Sequence, residues 1–139
     1  MEQVEAPRPL TGITPYLSIA SRGADAAAEF YRAAFGAVEV RRMVADDGER
    51  LLHVHLHING GSVMLSDEFP EYGGEVDVEP KSVTLHLYVD DADEWWNRAI
   101  TAGAVPVHPL ADQFWGDRYG VLKDPFGHSW SIGSPIRSP

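Results

Sequence analysis

The chain has 139 residues, and none of them is cysteine. This absence excludes disulfide bonds, thiolate metal sites, iron–sulfur clusters and a cysteine nucleophile. A chain of this length buries about two-thirds of its unfolded surface, so it can form a hydrophobic core without covalent staples. With 44% hydrophobic and 23% charged residues, the composition is typical of one globular domain over residues 1–139.

Positive charge is scarce, with 11 Lys and Arg against 21 Asp and Glu and a net charge of −10. Such a field repels phosphate backbones and anionic lipid surfaces, so neither nucleic acids nor membranes are expected as partners. Apolar runs stay well below the ~18 residues that a membrane span needs. Residues 1–11 form an acidic arm without the basic and apolar segments of a signal peptide. We therefore expect a cytoplasmic protein.

Residues 12–66 predict a first module with the order strand, helix and three strands. Polar and apolar residues alternate over Ile13–Ile19, as in a strand that is buried on one side. Asp25–Phe35 is rich in helix formers and is followed by Gly36, the residue type that most often ends a helix. Three further strands are predicted at Val38–Val44, Leu51–Ile58 and Ser62–Ser66.

The same order of elements returns in a second module over residues 83–133, after an acidic connector with Pro and Gly over residues 67–82. A strand over Val83–Val89 precedes a helix that is capped by Asp90 or Asp91 and ended by Gly103. The last three strands are predicted to begin at Val105, to span Arg118–Leu122 and to span Ser129–Ile132.

A constant offset of 67 residues relates the two modules. It carries Gly36 onto Gly103 and Gly60 onto Gly127, and it aligns the last strand of each half. One curved sheet in a half of this size cannot bury both of its faces, whereas two packed halves can. We interpret the pattern as an internal duplication.

Several short motifs occur within this duplicated strand–helix–three-strand pattern. They are TPYL (Thr14–Leu17), AEFY (Ala28–Tyr31), AFGA (Ala34–Ala37), MLSDEFP (Met64–Pro70), FWGDRYG (Phe114–Gly120) and DPFGHSWSI (Asp124–Ile132). Together they resemble the vicinal-oxygen-chelate superfamily of glyoxalases, bleomycin-resistance proteins and extradiol dioxygenases, in its PhnB-like branch. The resemblance implies an α+β fold of two tandem βαβββ modules that form a cupped mixed sheet with helices on the outer face. It also implies a homodimer, but no particular reaction.

Metal-dependent members of this superfamily carry His and Glu ligands on the first and fourth strands of each half. Counting back from the ends of the first strands places the first-strand positions at Thr14 and Thr84. The 67-residue offset between the modules places the fourth-strand positions at Met64 and Ser131. Hydroxyls and a thioether are poor ligands for zinc or a hard cation. No metal is therefore expected at the usual position, although a shift of two residues would bring in His86.

Six histidines leave a second possibility open, because His53, His55 and His57 share one face of their predicted strand. With His86 they could form a non-standard site for a divalent metal. The competing interpretation is that they are polar residues on the solvated face of a sheet.

Three other side chains have two interpretations each. His86 could act as a general acid or base, or simply form a hydrogen bond within the sheet. Trp115 could stack on a flat ligand or anchor packing, and Arg118 could clamp an anionic substrate or pair with Asp112 or Asp117. The predicted ligand-binding residues are Tyr16, His53, His55, Met64, Thr84, His86, Trp115, Arg118 and Ser131.

Two function classes follow. The first is a metal-independent protein that binds a small molecule, an antibiotic or a metabolite, in the cup of the sheet, with antibiotic resistance as one use. The second is an enzyme, a lyase, isomerase or dioxygenase, with a relocated histidine-based metal site. Whether any reaction is catalysed stays open at this point, with His86 as the candidate catalytic residue.

Overall fold

The structure is a computed structural model that describes residues 12–74 and 76–137, so the predicted N-terminal arm lies outside the described residues. The chain divides into two compact units. The first unit contains the residues up to Arg32 together with Gly36–Val78. The second contains Ala33–Phe35 and the residues from Glu79 onward.

The first unit contains a four-stranded mixed sheet with the strand order β1-β4-β3-β2. β1 runs parallel to β4, and the other neighbours are antiparallel. Asn59 and Gly60 both have positive φ, 49° and 81°, in the tight turn between β3 and β4, a conformation that Asn-Gly favours. The elements are β1 (Tyr16–Ile19), α1 (Ala24–Phe35), β2 (Val38–Val44), β3 (Leu51–Ile58), β4 (Gly61–Asp67) and a short 3₁₀ turn at Pro70–Tyr72.

A buried carboxylate fixes the start of α1. Asp67, at the end of β4, accepts hydrogen bonds from the backbone N–H of Ala24 at 2.9 Å and from that of Leu51 at 2.7 Å. One side chain therefore satisfies two backbone donors that begin different elements, which a buried carboxylate requires. Gly36 ends the helix in the left-handed conformation.

The second unit contains the other mixed sheet, with the strand order β5-β8-β7-β6 and β5 parallel to β8. Asp91 caps α2 by accepting a hydrogen bond from the N–H of Glu94 at 3.2 Å. Within the part of the chain that the structure describes, no helix is long and apolar enough to span a membrane. The elements are β5 (Thr84–Tyr88), α2 (Ala92–Ala102), β6 (Val105–Asp112), β7 (Asp117–Lys123) and β8 (Ser129–Pro135).

A second buried carboxylate holds the turn between β7 and β8. Asp124 accepts hydrogen bonds from the N–H groups of Phe126 and His128, at 2.8 and 3.0 Å, and from Nε1 of Trp130 at 2.9 Å. The ring of Trp130 also lies 4.7 Å from that of Phe35, in the last turn of α1. These contacts fix where β8 begins, and β8 carries two residues of the candidate site.

The predicted fold class is confirmed: two tandem βαβββ modules with two four-stranded mixed sheets and two helices. The first strand of each module is shorter than predicted, because Ile13 and Val83 lie outside β1 and β5 and are 97% and 67% exposed. Pro15 has no N–H, and only its carbonyl joins the ladder by accepting the N–H of Met64. Regular pairing therefore starts at Tyr16.

Candidate functional site

The pairing of β5 with β8 corrects the predicted position on the first strand of the second module. Ser131 lies opposite His86, whereas Thr84 lies opposite Ser129 with the two hydroxyl oxygens 3.1 Å apart. The count from the end of the strand was wrong by two residues. His86 is thus the side chain next to Ser131, and its Nδ1 lies 2.7 Å from the Ser131 hydroxyl oxygen.

The same shift applies in the first module. Met64 on β4 pairs with Tyr16 and not with Thr14, which lies before the start of β1. The paired positions therefore hold a phenol and a thioether in the first sheet, and an imidazole and a hydroxyl in the second.

Four rings form a cluster on one face of the second sheet, which we name the aromatic face: His86, Tyr88, Trp115 and Tyr119. The His86 ring lies 5.8 Å from Tyr119 and 6.3 Å from Tyr88. Trp115, in the turn between β6 and β7, meets Tyr119 edge-on at 5.5 Å. Tyr88 and Trp115 are about half exposed, at 52% and 50%, so the cluster presents aromatic surface outward.

A glycine makes room for the centre of this face. Gly133 lies between Tyr88 and Tyr119 in the register of the sheet. A Cβ at Gly133 would stand 3.0 Å from Cε1 of His86, closer than side chains normally approach, so the imidazole lies over the bare backbone of β8. Ser131 holds Nδ1 of this ring and is itself buried. Nε2 is therefore the nitrogen left for a ligand.

One carboxylate borders the aromatic face. The hydroxyl of Tyr88 donates to Oδ1 of Asp117 at 3.4 Å. The pKa of Tyr88 is raised, first by partial desolvation and then by the negative charge of Asp117. The phenol therefore stays protonated and can serve as a hydrogen-bond donor.

Arg118 is occupied by carboxylates and is not a free anion clamp. Its Nε and Nη2 bind Asp93 at 3.0 and 3.1 Å, and its Nη1 binds Asp112 at 3.1 Å. The ion-pair interpretation with Asp112 therefore holds, whereas Asp117 instead accepts from Tyr88. Because successive side chains of a strand point to opposite faces, Arg118 lies on the other side of β7 from Tyr119.

The corresponding face of the first sheet, which we name the histidine face, consists of Tyr16, His53, His55 and His57. The hydroxyl oxygen of Tyr16 lies 2.9 Å from Nδ1 of His53, and Nε2 of His55 lies 2.8 Å from the hydroxyl oxygen of Ser62. His55 is only 5% exposed, and its ring meets that of His57 edge-on at 5.4 Å. Two of the three imidazoles thus have hydrogen-bond partners within the sheet.

Burial and neighbouring charge disfavour protonation of this face. The pKa of His53 is lowered by burial and by the positive charge of Arg41. The pKa of His55 is lowered by burial and by the neighbouring imidazoles of His57 and His53. Burial also raises the pKa of Tyr16, against the opposing effect of a hydrogen bond with Ser66. Burial and neighbouring charge therefore favour the neutral imidazoles of His53 and His55.

The donors at the paired strand positions do not fit the metal of the superfamily that the sequence resembles. Tyr16 with Met64 and His86 with Ser131 offer one imidazole and no carboxylate, although hard cations prefer carboxylate oxygens. Across residues 12–74 and 76–137, no three His, Asp or Glu side chains come together in a group that could hold a metal ion.

A small cleft on the first unit, between α1 and β2, is a weaker candidate. Its volume is about 60 Å³, about the volume that two water molecules occupy in the liquid, whereas ligand pockets measure about 300–1,000 Å³. Its two arginines are both engaged: Arg42 binds Asp25 and Glu39, each at 2.7 Å, and Arg32 binds Glu29. The cleft is therefore too small and too fully paired to be the main site.

The structure brings the predicted residues together in two groups. His86, Trp115 and Ser131 belong to the aromatic face or its support, whereas the residues predicted on the first module surround the histidine face. The predicted set omitted Tyr119 and Gly133, two residues central to the aromatic face. The alternation of β7 could have revealed Tyr119, but the role of Gly133 depends on the register of three strands.

Comparison with known proteins agrees with this architecture. A model of the Glyoxalase/Bleomycin resistance protein/Dioxygenase superfamily matches residues 13–132. Mb0911c of Mycobacterium bovis, named an uncharacterized protein, is 47% identical over 130 residues, which span 90% of this chain and 84% of its own. The crystal structure of PA1353 from Pseudomonas aeruginosa has a TM-score of 0.71 at 25% identity and covers 90% of this chain and 98% of its own.

A fourth match concerns the branch. A Bacillus cereus structure, named as a putative 3-demethylubiquinone-9 3-methyltransferase, PhnB protein, has a TM-score of 0.71 at 20% identity, over 89% of this chain and 99% of its own. At this identity the match shows the fold alone. The superfamily that the sequence motifs predicted is confirmed by the family model.

Proposed function

The chain belongs to the Glyoxalase/Bleomycin resistance protein/Dioxygenase superfamily, and we propose that it is a metal-independent member that binds a small planar molecule on the aromatic face. The observation that supports this function is the half-exposed ring cluster around Gly133. Tyr88 and Trp115 each expose about half of their surface, so a planar molecule can cover aromatic area on this face.

Each residue of the face has a distinct part in this proposal. A flat ligand stacks against Tyr119 and Trp115, and each such aromatic contact contributes about 0.5–1.5 kcal/mol beyond the area that it buries. Nε2 of His86 supplies a directional hydrogen bond at the edge of the stack, and the hydroxyl of Tyr88, whose proton is donated to Asp117, can act there as an acceptor. Ser131 and Gly133 act indirectly, because they fix the orientation of the imidazole.

Metal independence is part of the same proposal. It is supported by the donor types at the paired positions and by the internal hydrogen bonds of the histidine face. The alternative enzyme would need His53 and His55 to leave these contacts and acquire a carboxylate ligand. Elemental analysis after incubation with zinc, nickel, manganese and iron(II) tests this point. About one retained metal per chain, lost in His55→Gln, would overturn metal independence.

Calorimetric titration with 2-naphthalenemethanol tests binding on the aromatic face. We expect saturable binding that chelator treatment does not change, and Trp115→Leu should weaken it about tenfold because one stacking contact is lost. Tyr72→Leu is the matched control, because Tyr72 is 79% exposed and stacks on Phe69 in the first unit. Absence of saturable binding, or equal weakening by the two substitutions, would overturn the proposed site.

A further inference from the structure

We infer that the ligand class of the aromatic face is a cationic aromatic molecule, a planar ring system that carries a protonated amine. This inference rests on the proposed function and deepens it. It follows from the juxtaposition of three aromatic rings, those of Tyr88, Trp115 and Tyr119, with a carboxylate that belongs to none of the ion pairs among the described residues.

The rings supply the first part of the argument. The faces of tyrosine and tryptophan rings carry negative electrostatic potential and attract ammonium groups within about 6 Å of the ring centre. The rings of Trp115 and Tyr119 lie 5.5 Å apart and meet at 69°. They therefore offer two differently oriented surfaces, so that a planar ring can stack on one while its ammonium group approaches the other.

The carboxylate supplies the second part. Asp117 accepts a hydrogen bond from Tyr88, and none of the ion pairs found among the described residues includes it. The two cations of the same strand are engaged elsewhere: Arg118 binds Asp93 and Asp112, and Lys123 lies 3.6 Å from Glu79. Asp117 is thus the charge that a ligand on the aromatic face would meet.

The charge of the whole chain acts in the same direction. A net charge of −10 raises the local concentration of cations and repels anions before any contact forms. The imidazole of His86 can meet an ammonium group as an acceptor at Nε2, if its Nδ1–H donates to Ser131. A carboxylate ligand, in contrast, would approach Asp117 without any free cation of β7 to compensate it.

Three probes that share one ring system test the inference: 2-naphthylmethylamine, 2-naphthalenemethanol and 2-naphthoate. They are cationic, neutral and anionic near neutral pH, and their affinities are measured by calorimetric titration of the full chain. We expect the amine to bind about five- to tenfold more tightly than the alcohol, and the naphthoate to bind most weakly.

A pair of charge-matched variants separates the local carboxylate from the overall field. Asp117→Asn should abolish most of the preference for the amine over the alcohol, measured as the ratio of the two affinities in the same variant. Asp46→Asn, in an exposed turn of the first unit, removes the same charge and should retain the preference.

The other possible results of these titrations would overturn the ligand class, the role of Asp117 or the binding site itself. Equal affinities for the three probes, or tightest binding of the naphthoate, would overturn the ligand class but leave the proposed binding site intact. A preference that persists in Asp117→Asn would overturn the role of this carboxylate. No binding of any probe would overturn the proposed function and the inference together.

Discussion

At equivalent positions of the two sheets, the same register carries different side chains. Tyr16, Met64 and His55 form one row across the first, fourth and third strands of the first module. The equivalent row of the second module consists of His86, Ser131 and Val121. The two modules therefore share the same neighbouring positions, whereas the side chains at those positions differ.

The next row of neighbouring positions, two residues further along the first strand of each module, also differs between the two sheets. In the first module Ser18 pairs with Ser66, and in the second Tyr88 pairs with Gly133, which also pairs with Tyr119. Two serines of the first module thus correspond to a phenol and a glycine of the second. His53 and His55 of the first face have hydrogen-bond partners within their sheet, whereas the second face is the aromatic surface that we propose as the ligand site. The following experiments test this contrast.

The largest loss of stability is expected at Asp124, which holds the turn between β7 and β8. Asp124→Ala leaves two backbone N–H groups and the indole N–H of Trp130 without their partner. We expect the free energy of unfolding to fall by about 3 kcal/mol or more, because buried donors lose a charged acceptor. Denaturant unfolding measures this loss. Asp124→Asn, which keeps an acceptor oxygen, should recover part of it, and equal losses would contradict the hydrogen-bond explanation.

Gly133→Val should weaken ligand binding on the aromatic face while it leaves the fold intact. Its side chain would collide with the imidazole of His86, which already lies 3.0 Å from an added Cβ. We expect about tenfold weaker binding of 2-naphthalenemethanol, because overpacking displaces the ring. Ser66→Val is the control at the equivalent position of the first sheet. Unchanged affinity in Gly133→Val would contradict the role of the glycine.

Protonation should affect the histidine face at a mildly acidic pH. Because the pKa values of His53 and His55 are lowered on folding, the unfolded chain binds more protons below about pH 6.5. This stabilisation is fully present above about pH 6.5 and is lost as the pH falls towards the folded values. Arg50 holds the pKa values of Asp47 and Glu71 at about 2, so the stability that these carboxylates contribute is lost only at a lower pH.

Thermal unfolding measured between about pH 7.5 and 5.5 checks the histidine prediction. The decrease in melting temperature should be smaller in His55→Gln than in the parent chain. His108→Gln, a change of an exposed histidine on β6, should retain the full decrease. NMR titration should also assign His53 and His55 pKa values below the ordinary one. Values at or above it would contradict the prediction.

The smallest effect is expected at Arg118. Arg118→Gln removes two partly exposed ion pairs and should change the free energy of unfolding by about 1 kcal/mol or less. The affinity for 2-naphthoate should not fall, because the guanidinium lies on the other side of β7 from Tyr119. Calorimetry in both proteins measures this affinity. A marked loss of naphthoate binding would restore Arg118 as an anion clamp.

Local patterns in the sequence predicted the elements well. The bounds of β2 and β3 agree with those predicted, because alternation and Gly-containing turns depend on residues close in the chain. The cap at Asp91 and the helix end at Gly36 follow for the same reason. The superfamily could also be predicted from the sequence, because its motifs are short segments of neighbouring residues.

The register between strands that are far apart in the chain could not be predicted from local patterns. Tyr16 and His86 pair with strands about 45 residues away along the chain, and no local signal states where that parallel pairing begins. The partners of Arg118 show the same limit, since Asp93 comes from α2 and not from a neighbouring residue. The aromatic face depends on three strands and a turn, so Tyr119 was not predicted as a site residue.

The last turn of α1 has a consequence for how this chain can be divided. Ala33–Phe35 belong to the second unit, where Phe35 packs against Trp130 and the carbonyl of Ala33 accepts a hydrogen bond from Arg98. A break at the junction near Glu79 would therefore leave the downstream fragment without three of its own residues. A split-protein reporter or a circular permutant built from this scaffold has to keep α1 covalently continuous, although the sequence repeats on either side of the connector.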